Sequence, residues 1–239
     1  MRDRSTSAPA KTPAPAKTPT RRAGFSVDLV LLTPHGKQLA VLLNRSSDPR
    51  AREKWSLPYD LPHTEETLEA AADRLARGAL SATPTWIEQI GAFSDGRRHP
   101  AEVDLSVGYV GLVPLGVPAP VGGVAAWFPM ADLPVIASRQ RSIIDAANER
   151  VRDRLDQAPI AFRFLPPTFT LSELQSMYEL LLGRRLHKAS FRRALQGSWL
   201  VEPTEEWRSE GRGRPAQLFR YAPRRRRSTR RGVRFELLG

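Results

Sequence analysis

The chain has 239 residues, of which 41% are hydrophobic, and carries a formal net charge of +12 with no cysteine. That apolar share can build a core, while the absence of cysteine excludes disulfides, thiolate metal sites and thiol nucleophiles. No apolar run reaches the roughly 18 residues of a membrane-spanning helix, and so strong a positive balance points to a polyanionic partner.

The charge is unevenly placed. Residues 1–24 carry a net +5, residues 25–159 a net −3 and residues 160–239 a net +10, so a mildly acidic middle is flanked by basic ends. Residues 1–24 read as a disordered basic tail, because repeated Pro, Ala and Lys without large apolar residues bury too little surface to offset ordering entropy. Arg2 and Arg4 are followed by no apolar stretch, which argues against a secretory signal. A cytoplasmic, nucleoid-associated protein without a membrane partner is expected.

From Phe25, alternation around Val27, Leu29 and Leu31, a turn at Thr33–Gly36 and an apolar run from Gln38 to Leu43 predict a β-hairpin. Residues 44–63 read as a polar connection. A helix is predicted from about Thr64, with Leu68, Ala71, Ala72, Leu75 and Ala79 at helical spacing. Strands follow at Ile87–Phe93, Val103–Val113 and Ala125–Phe128, then a helix from about Ser138 to Leu155. This order predicts an α+β domain with a mixed sheet over residues 25–157. Pro159 and the Pro166–Pro167 pair mark the boundary to a second domain, residues 158–222.

In that second domain, Thr170 and Glu173 form a capping box. Leu171, Leu174, Tyr178 and Leu181 give the following helix one apolar face, and Gly183 stops it. A second helix is predicted from about His187 to Gln196, anchored by Phe191 and Leu195, with Lys188, Arg192 and Arg193 outward. Two strands, Leu200–Pro203 and Leu218–Tyr221, flank a polar loop ending Gly211–Arg212–Gly213–Arg214–Pro215. A helix-turn-helix with a basic second helix and an arginine-tipped hairpin suits a winged helix on duplex DNA. Arg212 and Arg214 on a slim backbone suit a narrow minor groove. Residues 223–239 form an arginine-rich tail in which Arg224, Arg225, Arg226 and Arg227 are expected to contact phosphates.

The run Trp55-Ser-Leu-Pro58 through Leu75 resembles a degraded Nudix box. Trp55 and Pro58 keep its opening, and Glu66 and Arg74 stand at its Glu and Arg positions. The carboxylates that hold divalent metal in that family are Leu75, Gly78 and Ala79 here, and its glycine pair is Tyr59–Asp60. Positions 75, 78 and 79 share a helix face with Leu68 and Ala72, so that face is apolar. Glu66, Glu69 and Asp73 are expected on the opposite, solvated face. The resemblance continues through Ile87–Arg98, Val103–Val113 and Ala126–Pro134, and covers about residues 25–156.

Phe169–Gln175, Tyr178-Glu179, Leu182–Arg184, Phe191–Arg193, Gly211–Ala216 and the connection Ala158–Pro166 closely resemble the Nudix-related transcriptional regulators of NAD metabolism. The resemblance implies a Nudix-like α/β/α sandwich followed by a winged helix-turn-helix, and a homodimer on double-stranded DNA. It also implies a nucleotide-like effector such as ADP-ribose, sensed by the first domain. DNA-contact candidates are then Thr170, Ser172, Arg184, Lys188, Ser190, Arg192, Arg193, Arg212 and Arg214. No catalytic residue, metal or cofactor is expected. The chain departs from that family at His187, where an Asp cap is usual, and at Arg139–Gln140, where Asp-His is usual. A non-specific nucleic-acid or nucleoid protein and a residual Nudix hydrolase are the alternative readings.

Overall fold

The structure, a computed structural model, describes residues 24–80, 82–117, 123–155, 157–209 and 215–222. The predicted hairpin is β1 (Phe25–His35) and β2 (Gln38–Arg45), joined at Gly36, whose φ of 60° is the left-handed conformation that the turn requires. The expected polar connection contains two short strands, β3 (Trp55–Ser56) and β4 (Tyr59–Asp60). Strands β5 (Trp86–Phe93), β6 (Leu105–Leu112) and β7 (Ala125–Pro129) follow the helix that carries the box.

These seven strands form one sheet with the central order β3-β2-β1-β6-β5, in which β4 also pairs with β1 and β7 with β2. The β1–β6 pair is parallel and the others are antiparallel, the mixed sheet expected.

The pleat of β1 sorts its side chains into two cores. Val27, Leu29 and Leu31 pack with Ala71, Ala72, Ala76 and Ala79 of α1 (Leu68–Ala79) on one face. Val30 and Leu32 pack with Ile143, Ile144, Ala147 and Val151 of α2 (Ser138–Arg154) on the other. The result is the helix–sheet–helix sandwich.

Helix α1 begins three residues later than expected. Glu65 has φ 63° and Glu66 donates its amide to the His63 carbonyl, so residues 63–66 are a turn. Thr67 caps the helix, its hydroxyl accepting the Ala70 amide at 3.1 Å.

The second core does not stop at the expected boundary. After α2 the chain forms a 3-10 helix, Ile160–Phe164, with Ile160, Ala161, Phe162 and Phe164 buried. These residues join the α2 face of the sheet to the apolar sides of α3 (Leu171–Leu182) and α4 (Lys188–Ser198). A three-stranded sheet, β8-β10-β9, completes this part, formed by β8 (Thr168–Phe169), β9 (Val201–Arg208) and β10 (Ala216–Tyr221). Strand β8 is too short to leave a periodic signal, and β9 runs five residues past Pro203. No described helix is long and apolar enough to cross a membrane.

Candidate nucleic-acid interface and adjoining pocket

The two reader helices are set by local bonds. Thr170 Oγ1 accepts the Glu173 amide at 3.1 Å, and Glu173 Oε2 accepts the Thr170 amide at 2.6 Å, completing the capping box. The other Glu173 oxygen pairs with Arg208 of β9 at 2.8 Å, tying the helix to the wing hairpin. Gly183 closes α3 with φ 68°.

The turn into α4 is held from α3. Glu179 Oε1 accepts both the Leu186 amide and the Gln175 side-chain amide at 2.9 Å, and Gln175 Nε2 also donates to the Leu186 carbonyl at 3.0 Å. The Leu186 amide, then Gln175, lowers the Glu179 pKa below the ordinary carboxylate value. Tyr178 and Phe191, 5.6 Å apart edge to face, lock α4 on α3.

With Phe191 and Leu195 buried, α4 presents Lys188, Arg192 and Arg193 to solvent. Its N-cap His187 makes no side-chain bond to the helix backbone; its Nδ1 lies 3.2 Å from Ser190 Oγ. Ser172 and Arg184 are exposed, whereas Thr170 is buried and its hydroxyl is engaged in the cap. Arg212, Arg214 and Arg224–Arg227 lie outside the described residues.

Around the box, Arg74 is a clasp. Its Nε donates to Glu66 Oε1 at 2.8 Å, its Nη2 to Glu66 Oε2 at 2.9 Å and its Nη1 to Asp60 Oδ2 at 2.7 Å. The bonds from Arg74, then the His63 amide, hold the Glu66 pKa at about 2. The sequence expectation placed Glu66 on a solvated helix face; in the structure it precedes α1 and is engaged by Arg74. Glu69 also has a partner, the Tyr109 hydroxyl at 3.4 Å. Burial, then Glu69, raises the Tyr109 pKa to about 12.

Ala79 is buried, Leu75 half-buried and Gly78 exposed. None supplies the oxygen ligands that Mg²⁺ requires. Glu66 is already committed to Arg74, so this set does not fit a metal, and the described residues contain no cluster of three or more His, Asp or Glu able to hold one.

Beside the box opening lies a cavity of about 500 Å³ whose lining includes Arg45, Arg52, Glu53, Trp55, Tyr59 and Arg98. Glu53 pairs with Arg98 and lies 3.8 Å from Arg52. Trp55 is braced edge-on by Phe128 at 4.7 Å. Burial, then the charges of Asp28 and Asp60, raises the Tyr59 pKa above its ordinary value. Three guanidiniums, offset in part by Asp48 and Glu53, give the lining a net positive balance that with two aromatic rings suits an anionic, ring-bearing ligand.

Behind this wall lies a buried polar cluster that periodicity did not reveal. Asp28 accepts from Ser26 at 2.6 Å and from Gln140 at 3.1 Å, and its Oδ1 is 2.7 Å from His99 Nε2. The visible signal was an aspartate in the middle of an apolar strand; its partners His99 and Gln140 lie 71 and 112 residues away. Arg139 and Gln140 are both buried, at 2% and 0% exposure.

The architecture is that of DNA-binding proteins that join a Nudix-like domain to a winged helix. The family model of the NrtR DNA-binding winged helix domain matches residues 161–221. Shewanella oneidensis NrtR, crystallised in complex with a 27mer DNA, is 31% identical; the match covers 83% of this chain and 94% of that one, with a TM-score of 0.72. The chain belongs to the NrtR family. The ADPR responsive transcriptional repressor NtrR of Acinetobacter baylyi is 27% identical over 204 residues, 82% of this chain and 81% of the relative. A MutT/nudix family protein from Enterococcus faecalis shares the fold at 21% identity, with a TM-score of 0.67 over 85% of this chain and 89% of that one.

Proposed function

We propose that this protein is a transcriptional repressor that binds duplex DNA through its winged helix, works as a homodimer and responds to ADP-ribose bound in the Arg45–Arg52–Arg98 pocket. The observation that carries the reading is the exposed Lys188–Arg192–Arg193 face of α4, in a chain alignable with nearly all of a relative crystallised on DNA. The effector assignment draws on the ADPR-responsive relative and on the pocket's cationic and aromatic lining.

Helix α4 enters the major groove with Lys188, Arg192 and Arg193 toward base edges. Ser172, Arg184 and Ser190 serve the flanking phosphates, and Thr170 holds α3 rather than touching DNA. Arg212 and Arg214 of the wing reach the minor groove, and Arg224–Arg227 add phosphate contacts. Residues 25–157 sense and dimerise, while residues 158–222 read DNA. Guanidiniums rather than a metal meet the ligand's pyrophosphate, and the box performs no metal-assisted hydrolysis.

The test is fluorescence anisotropy of the full chain with genomic and random duplexes, with and without ADP-ribose. Specific sites bind at about 10⁻⁸–10⁻¹¹ M at physiological salt, and ADP-ribose changes that affinity. Equal affinity for random DNA would favour the nucleoid reading. Mg²⁺-dependent cleavage of ADP-ribose, lost in Glu66→Gln, would favour the hydrolase reading.

A further inference from the structure

We propose that a buried strut, His99–Asp28–Gln140, transmits ligand occupancy from the pocket wall to the DNA reader through α2. This regulatory role rests on the effector reading above.

The strut starts at the pocket wall. Arg98 and Pro100 line the cavity, and His99 between them points inward, with no exposed side-chain surface. Its Nδ1 accepts the Ala101 amide at 3.1 Å, so the neutral ring carries its hydrogen on Nε2 and donates it to Asp28 Oδ1 at 2.7 Å. The same oxygen accepts Gln140 Nε2 at 3.1 Å. Gln140 Oε1 then accepts the amide of Leu57, which adjoins Ser56, another residue of the cavity lining.

The first turn of α2 thus grips both lining segments. The Arg139 amide donates to the Arg98 carbonyl at 3.1 Å, and its guanidinium to the Val103 carbonyl at 2.7 Å. At the far end, Val151 and Leu155 share a core with Phe162, Leu174 and Tyr178. Tyr178 in turn carries Phe191 of α4. The seventeen residues of α2 make a rod about 25 Å long at 1.5 Å per residue. On this proposal, displacing either lining segment tilts this rod, and the tilt reaches the seat of α3 and α4. The buried bonds and the rod supply a contiguous physical path between the two sites, and the coupling along it is what the experiment measures.

The experiment measures DNA affinity of the full chain at zero and saturating ADP-ribose, with ADP-ribose affinity measured separately. In the parent, ADP-ribose shifts DNA affinity by a factor within the usual range of about 5–150. His99→Phe and Gln140→Met, which remove strut bonds without touching the pocket lining or reader, keep each separate affinity within about threefold but bring the shift below about twofold. His99→Gln, whose Nε2 can replace that of the ring, restores the shift. A full shift in both broken variants overturns the proposal, as does parallel loss of both separate affinities, the mark of a merely structural role.

A second arm needs no ligand. Arg98→Ala raises amide exchange across residues 174–181 in the parent, but not in the His99→Phe background; an equal rise in both overturns the strut. A parent without an ADP-ribose shift, but with this exchange pattern, overturns the effector reading and leaves the strut supported.

Discussion

Gly108 of β6 packs against Ile143 of α2, and adding one methyl group there tests the packing between that helix and the sheet. A Cβ on Gly108 would lie 2.9 Å from Phe93 Cε2, 3.0 Å from Ile143 Cγ2 and 3.0 Å from Ile90 Cγ1. Phe93 and Ile90 belong to β5 and Ile143 to α2, so relief of all three contacts requires α2 and β5 to spread. At Gly111, three residues along β6, a Cβ would meet one tight contact, the terminal Cδ2 of Leu31 at 2.9 Å; the next two are at 3.5 Å. Neither glycine has a left-handed φ, so Ala adopts both backbones and gains about 0.4–1 kcal/mol by restricting the unfolded chain. Overpacking costs about 1–3 kcal/mol where no neighbour can yield. Gly108→Ala is therefore destabilised by about 0–2.6 kcal/mol, and Gly111→Ala stays within about 0.5 kcal/mol of the parent. Urea unfolding at fixed protein concentration reads both, and in a chain this size each kcal/mol also lowers Tm by about 2–4 °C. Gly108→Ala more stable than the parent, or Gly111→Ala the weaker of the two, would refute the reasoning.

The Arg74 clasp predicts a pH dependence. Because Glu66 is held at about 2 against an ordinary 4.5, its contribution is fully present above about pH 4.5 and is lost as pH falls towards 2. The urea-midpoint gap between parent and Arg74→Met is thus widest at neutral pH and narrows below pH 4.5; a constant gap down to pH 2 would count against the clasp. Thr170→Ala loses a helix cap worth about 1 kcal/mol while Thr170→Ser keeps it, as thermal unfolding will show. Arg192→Ala and Arg193→Ala each weaken specific DNA binding by about 1–3 kcal/mol with relaxed selection at one base pair. A loss equal on all sequences would instead mean contact with phosphate. Deleting residues 223–239 weakens all duplexes alike and lowers the log–log salt slope by about 0.9 per phosphate released; loss of discrimination would mean the tail reads sequence.

Elements whose bonds are local were legible in the sequence. The capping box at Thr170 and Glu173, the left-handed Gly183 and the apolar face of α3 all lie within fourteen residues, and each was placed from spacing alone. The start of α1 was misread because Thr64 and Thr67 are both acceptable caps. What decides between them is Arg74, which draws Glu66 back towards Asp60 and holds residues 63–66 in a turn. The position of the domain boundary was suggested by proline, but proline records only where helices and strands are interrupted. Phe162 and Phe164, four and six residues past the first residue of the second domain, pack into a core continuous from the sheet to α4.

That continuity bears on why the reader was easier to recognise than the sensor. A DNA-reading helix needs outward cations on one short segment, and sequence displays these directly. A pocket coupled to that helix needs a wall, a strut and a rod taken from residues 28, 57, 98–100 and 139–140, which meet only in the folded chain. Leu75, Gly78 and Ala79 supply no metal ligand, whereas Arg45, Arg52 and Arg98 outnumber Asp48 and Glu53 in the lining of that pocket. On the proposed reading this exchange has a mechanical consequence. A diffusible ion could answer the ligand's charge without moving the protein, but guanidiniums anchored on β2 and on the 95–103 loop cannot. Binding then pulls on Arg98, and Arg98 shares its backbone with His99 and its carbonyl with α2.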